Sequence, residues 1–247
     1  MPRTKNEIIA DIEIWAKEKL AAGEEIIYVS DIGSRVTGLE KKEPEMILQT
    51  PKPDSETWKN ATDLPTLNSL ISNCTKCELH KTRTTFVFGV GNPDAKVMVI
   101  GEAPGKDEDE QGEPFVGRAG QLLNKMLAAI QFPREEVFIA NILKSRPPGN
   151  RDPKSEEVAA CEPYLWKQIE IIKPKMILCV GRIAGTNLLK KEGESLAKMR
   201  GQVFDFMNAK VMVTYHPAAL LRNPNWKVGA WEDLQKFRKL YDEITSQ

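Results

Sequence analysis

Four short apolar runs, at residues 97–101, 137–141, 176–181 and 211–215, alternate with stretches of helical periodicity at about 118–131, 154–172, 182–191 and 227–245. Strands that alternate with helices predict a parallel sheet covered on both faces. The expected fold is therefore α/β: three α/β/α layers around a central, mainly parallel four-stranded sheet. The segments just after the runs are equally constraining. GEAPG comes after the first, and Asn141 ends the second before KSRPPGNRDP. GRIAG comes after the third, and His216 and Pro217 after the fourth. Each polar, Gly-rich or Pro-rich segment thus falls at a strand's carboxyl end, where open α/β sheets bind ligands. One crevice is expected to gather Glu102, Phe115, Asn141 and His216.

The longest of these segments, IGEAPGKDEDEQGEPFVGRAGQLL at 100–123, is neither a dinucleotide fingerprint nor a Walker loop. The residues expected in the crevice suit a different ligand. The Asn141 amide carries a donor and an acceptor in one plane, complementary to a nucleobase edge. Phe115 offers a flat face for stacking. His216 can stabilise developing negative charge, and Glu102 can serve as a positioned acid or base. Each also has a plain structural reading, as a loop cap, a loop anchor or a surface side chain. The acidic run Asp107, Glu108, Asp109 and Glu110 reads as a solvated face or a helical first turn rather than a metal site.

Lys plus Arg and Asp plus Glu number 35 each, so overall charge gives no support to a nucleic-acid partner and leaves only a local basic patch to look for. Lys144, Arg146, Arg151, Arg222, Lys227 and Arg118 are candidates for such a rim, and Leu220 and Leu221 for a wedge between stacked bases. No apolar run is long enough to span a bilayer, and MPRTKNEII lacks the apolar region of a signal peptide, so a cytoplasmic protein without membrane contact is expected. Ile8, Ile9, Ile12, Trp15, Ala16 and Leu20 predict a helix over about 4–22. The expected organisation is a helical extension over 1–37, a linker rich in Pro and charge over 38–65, and the α/β domain over 66–247.

Cys74 and Cys77 form a CxxC pair, a metal or redox spacing. Cys161 lies on a helical segment, and Cys179 lies inside the apolar run MILCVG. Three cysteines cannot close a site of four thiolates, so the spacing alone indicates an incomplete metal site.

Together, GEAPGKDEDEQGEPFVGRAGQLL, NILKSRPPGNRDP and HPAALLRNP resemble the family 4 uracil-DNA glycosylases of bacteria and archaea, the type that carries an iron–sulfur cluster. The similarity covers about residues 67–243. It implies hydrolysis of the N-glycosidic bond of deoxyuridine in DNA, which initiates base excision repair, with the base flipped out of the duplex; a monomer is expected. The resemblance implies that Glu102 and His216 are catalytic, that Glu102, Ala103, Phe115, Asn141 and His216 bind uracil, and that the 216–222 loop enters the duplex. Arg118, Lys144, Arg146, Leu220 and Arg222 are the expected DNA contacts. It also implies a structural [4Fe–4S] cluster on Cys74, Cys77, Cys161 and a fourth cysteine, but that fourth position is Ser145. Two rival readings are a binding module of the same fold without excision, and a metal-dependent nucleotide hydrolase using the acidic run.

Overall fold

The computed structural model describes residues 56–246. The expected helix over 4–22 and most of the expected linker lie outside them. Residues 56–65 do not behave as a linker. A 3-10 turn at Glu56–Asn60 buries Trp58 edge-on against Tyr164, with ring centroids 4.8 Å apart. Helix α1 (Leu64–Ile71) then starts from Asp63, whose Oδ1 accepts the Thr66 N–H at 2.8 Å. The folded domain has therefore begun by residue 56, ten residues before the expected boundary. The Pro-rich, charged composition of this stretch conceals one well-placed tryptophan.

The sheet has six strands in the order β1-β3-β2-β4-β6-β5. The inner four, β2 (Val97–Gly101), β3 (Phe138–Asn141), β4 (Met176–Val180) and β6 (Ala209–Thr214), are parallel and coincide with the four expected runs. The expected strand number is corrected by two antiparallel edge strands, β1 (Val90–Gly91) and β5 (Phe204–Phe206). Each is too short to show an alternating pattern.

Burial on both faces explains the apolar runs. Met98, Ile100, Ile177, Cys179, Val211 and Val213 face one core with α1, α4 (Ser155–Ile172), α5 (Arg182–Leu188) and α6 (Leu196–Met199). Val97, Val99, Leu178, Val180 and Met212 face the other core, with α3 (Arg118–Ala129) and α8 (Lys227–Thr245). The period of two along each strand sorts side chains between the two helical layers. Two short helices, α2 (Lys106–Gln111) and α7 (Pro217–Arg222), stand over the carboxyl ends of the strands. No helix among the described residues is long and apolar enough to cross a membrane.

Candidate active site

A cavity of about 370 Å³ opens at the carboxyl edge of the sheet, and Glu102, Ala103, Phe115, Asn141 and His216 all line it. Parallel pairing places Gly101 beside Asn141. A β-carbon on Gly101 would stand 2.4 Å from Asn141 Oδ1 and 2.6 Å from Phe115 Cζ, so the bare glycine is what lets these two side chains lie against the strand end at the base of the cavity.

Asn141 is 2 % exposed, and its Oδ1 is buried with no hydrogen-bond partner. A buried acceptor without a partner costs about 1–3 kcal/mol, which a ligand N–H aimed at it recovers. The strand end is held from below by Lys144. This lysine was expected at the DNA, but it is fully buried, and its Nζ donates to Asn141 O at 3.0 Å and Gln168 Oε1 at 2.6 Å. Burial pulls its pKa down to about 8. A polar sequence context cannot reveal that the chain turns Lys144 inward.

Phe115 sits at φ 56, a left-handed conformation that is costly for a bulky residue. Two flanking groups hold it there. Glu108 Oε1 accepts the Val116 and Gly117 N–H groups at 3.0 Å each, and its Oε2 accepts Gly105 N–H at 3.1 Å. Arg134 donates to Pro114 O at 2.7 Å and Phe115 O at 3.3 Å. Asp109, also from the acidic run, is buried and accepts from Thr84 and Thr85 N–H. Of the two expected readings the run is thus the helical first turn, with Asp107, Glu108 and Asp109 opening α2, and two of its carboxylates anchor loop backbone.

His216 caps α7, and its Nδ1 accepts the Ala218 N–H at 3.1 Å. In the neutral ring this leaves the proton on Nε2. Burial, reinforced by the Arg222 charge, lowers its pKa to about 4, so the ring is neutral at pH 7. Its centroid lies 5.7 Å from that of Phe115. Glu102 is pushed the other way, up to about 7, first by burial and then by the Asp152 charge; Arg182 opposes the shift. Two titratable groups in one pocket with pKa values driven apart are a signature of acid–base chemistry.

The remaining expected contacts divide. Arg118 and Arg222 are exposed and converge with Leu221 on a shallow concavity beside the pocket. Arg146 is half-buried and donates to Asn150 Oδ1 at 2.8 Å, shaping the loop that walls the pocket. Arg151 is paired with Glu157 through both terminal nitrogens. Leu220 is 1 % exposed and belongs to the core, whereas Leu221 is 39 % exposed, so Leu221 is the residue available as a wedge. The segment 217–222 is a short helix rather than a loop, and its turn decides which of the two leucines faces outward.

The description Uracil DNA glycosylase superfamily matches residues 88–235, well over half of the chain. The chain belongs to the uracil-DNA glycosylase superfamily. Within it, similarity is to the type-4 enzymes. The type-4 uracil-DNA glycosylase of Archaeoglobus fulgidus is 47 % identical over 177 residues, 69 % of this chain and 89 % of the relative. That of Pyrobaculum aerophilum is 47 % identical over 71 % of this chain and 93 % of the relative. That of Sulfurisphaera tokodaii is 46 % identical over 69 % and 81 %.

Type-4 membership raises the question of a cluster, which the residues of the cysteine corner test. Cys74 Sγ accepts from Tyr164 OH at 3.3 Å and Cys161 Sγ from the Lys144 N–H at 3.2 Å. Burial pushes the Cys161 thiol up to about 12 and also raises Cys77. Ser145, at the fourth position, is buried, and its hydroxyl accepts from Arg83 Nη1 at 3.1 Å. Cys179 lies inside β4 and packs in the core. Among the described residues no group of three or more His, Cys, Asp or Glu is disposed to hold a metal ion. Three thiols and a hydroxyl held by a guanidinium do not fit a cluster of four thiolates.

Proposed function

We propose that the chain excises uracil from DNA by hydrolysis of the N-glycosidic bond, using the pocket between Phe115, Asn141 and His216. Its sequence similarity to named type-4 uracil-DNA glycosylases supports the activity. The observation that carries the site assignment is the buried, unpartnered Asn141 Oδ1 on a residue that lines one cavity with Phe115 and His216. An extruded uracil stacks on Phe115 and gives its ring N–H to that oxygen, while the Asn141 amide N–H₂ donates to a neighbouring carbonyl.

As the bond from sugar to base breaks, the electron pair moves onto uracil. Neutral His216 donates its Nε2–H to the carbonyl oxygen that gathers the charge, without first having to lose a proton. The Ala103 backbone N–H, which has no hydrogen-bond partner among the described residues, adds a second donor. Glu102, as the carboxylate, orients a water toward the cationic sugar carbon and accepts its proton, and an abasic site remains. No step runs through a cluster. Arg118 and Arg222 contact flanking phosphates, and Leu221 fills the gap that uracil leaves.

Uracil release from a labelled oligonucleotide carrying one uracil, measured in EDTA, tests this reading. Wild type is expected to leave an alkali-sensitive abasic site and Asn141→Ala to lose at least tenfold in rate, within the ~1–3 kcal/mol of one two-point base contact. DNA binding without release would favour the binding module, and loss of activity in EDTA would favour the metal-dependent hydrolase.

A further inference from the structure

Beyond the base pocket, a second ordered feature stands on the strand and helix that flank His216. Asp233 is buried on α8 and accepts from Thr214 Oγ1 and Arg200 Nε, each at 2.7 Å. Arg200 also donates to Tyr215 OH and Gly229 O, both at 2.7 Å. Its guanidinium lies 4.1 Å from the centroid of the Tyr215 ring. Trp226 stacks on the same tyrosine, with centroids 5.2 Å apart and planes 22° from parallel. The result is a column of Arg200, Tyr215 and Trp226, tied at its base to a buried carboxylate. Trp226 is 43 % exposed although one face is covered, so the face turned away from Tyr215 is open.

A rigid, half-exposed indole is more than the fold requires, since the column is already closed by Tyr215. Its neighbours indicate its ligand. Arg222 and Lys227 bracket Trp226 in sequence, are exposed, and have no hydrogen-bond or ion-pair partner among the described residues. The wedge candidate Leu221 lies on the same segment. An open aromatic face between free cations matches a nucleic-acid strand, with base on ring and phosphate on cation.

We infer that Trp226 is a stacking platform for an unpaired nucleobase of the strand that carries the uracil, outside the uracil pocket. A base must leave its own stack to reach such a face, so the platform favours single-stranded over duplex substrate. Because the column is ordered in advance, little ordering entropy opposes the stack.

The platform rests on the glycosylase reading for its biological setting, and its test is independent of excision. Binding of a single-stranded oligonucleotide without uracil, and of its duplex, is measured for wild type, Trp226→Ala and Trp226→Phe, with thermal unfolding of each. Trp226→Ala is expected to weaken single-strand binding about thirtyfold, the middle of the range for one base stacked on an aromatic ring. Trp226→Phe should retain most of the affinity, and duplex binding should change much less in both variants. Equal single-strand affinity in wild type and Trp226→Ala would overturn the proposal. So would equal losses on both substrates, or no recovery by a stably folded Trp226→Phe. Failure of wild type to release uracil would overturn the glycosylase reading and leave this comparison of affinities intact.

Discussion

The base pocket and the cysteine corner are joined by one short segment, from Asn141 to Ser145, and they stand in opposite condition. In the pocket Glu102, Phe115, Asn141 and His216 line the same cavity, and dedicated groups hold the last three: Glu108 and Arg134 around Phe115, Lys144 under Asn141, and the Ala218 N–H on His216. In the corner one of four positions carries a hydroxyl, and Arg83 occupies it. Lys144 touches both regions, through its ammonium to Asn141 O and its backbone N–H to Cys161 Sγ. The contrast teaches that the pocket's side chains are set by hydrogen bonds and packing, whereas the corner offers three thiols and a hydroxyl already engaged by Arg83.

Breaking the pocket side gives the largest effect. His216→Ala removes the donor facing the departing base and is expected to lower kcat on the order of 10²–10³, with little change in DNA affinity, as single-turnover kinetics would show. The pH profile of kcat/KM comes next. With Glu102 near 7 and required as the carboxylate, kcat/KM falls about tenfold per unit below that pH. His216, at about 4, stays neutral over most of that range and adds no limb of its own. Glu102→Gln should lower activity and flatten the limb; a limb that persists in this variant would remove Glu102 from the role.

Smaller effects sharpen the comparison. Glu108→Ala leaves three loop N–H groups without their acceptor. At about 1–3 kcal/mol for an unsatisfied buried group, softened by water, it should lower Tm by several degrees and raise KM more than it lowers kcat. Lys144→Met removes a buried ammonium yet should leave the affinity for uracil-free DNA within about twofold, since Lys144 does not reach a phosphate. A marked loss of affinity would restore it to the DNA face. On the corner side, EDTA and iron chelators should leave wild-type activity unchanged within roughly twofold, while Ser145→Cys should raise the iron retained on anaerobic purification. Stoichiometric iron and sulfide in the wild type would show that a hydroxyl suffices.

By itself the sequence determined the four parallel strands, because burial on both faces demands unbroken apolar runs, and it determined the edge at which Glu102, Phe115, Asn141 and His216 meet. It also showed the break at Ser145, which is a matter of residue identity alone. Only the tertiary structure decided which polar residues turn inward. Lys144, Glu108 and Asp109 look like surface charge in sequence, yet Lys144 reaches Gln168, Glu108 the Val116 and Gly117 N–H groups, and Asp109 the Thr84 N–H. The choice between Leu220 and Leu221, the inclusion of Trp58 in the core, the strands of two and three residues, and the open face of Trp226 were decided the same way. The physical reason is common to all of them. Periodicity reports the average environment of an element, whereas the partner of one side chain depends on segments far away in the chain that only folding brings together.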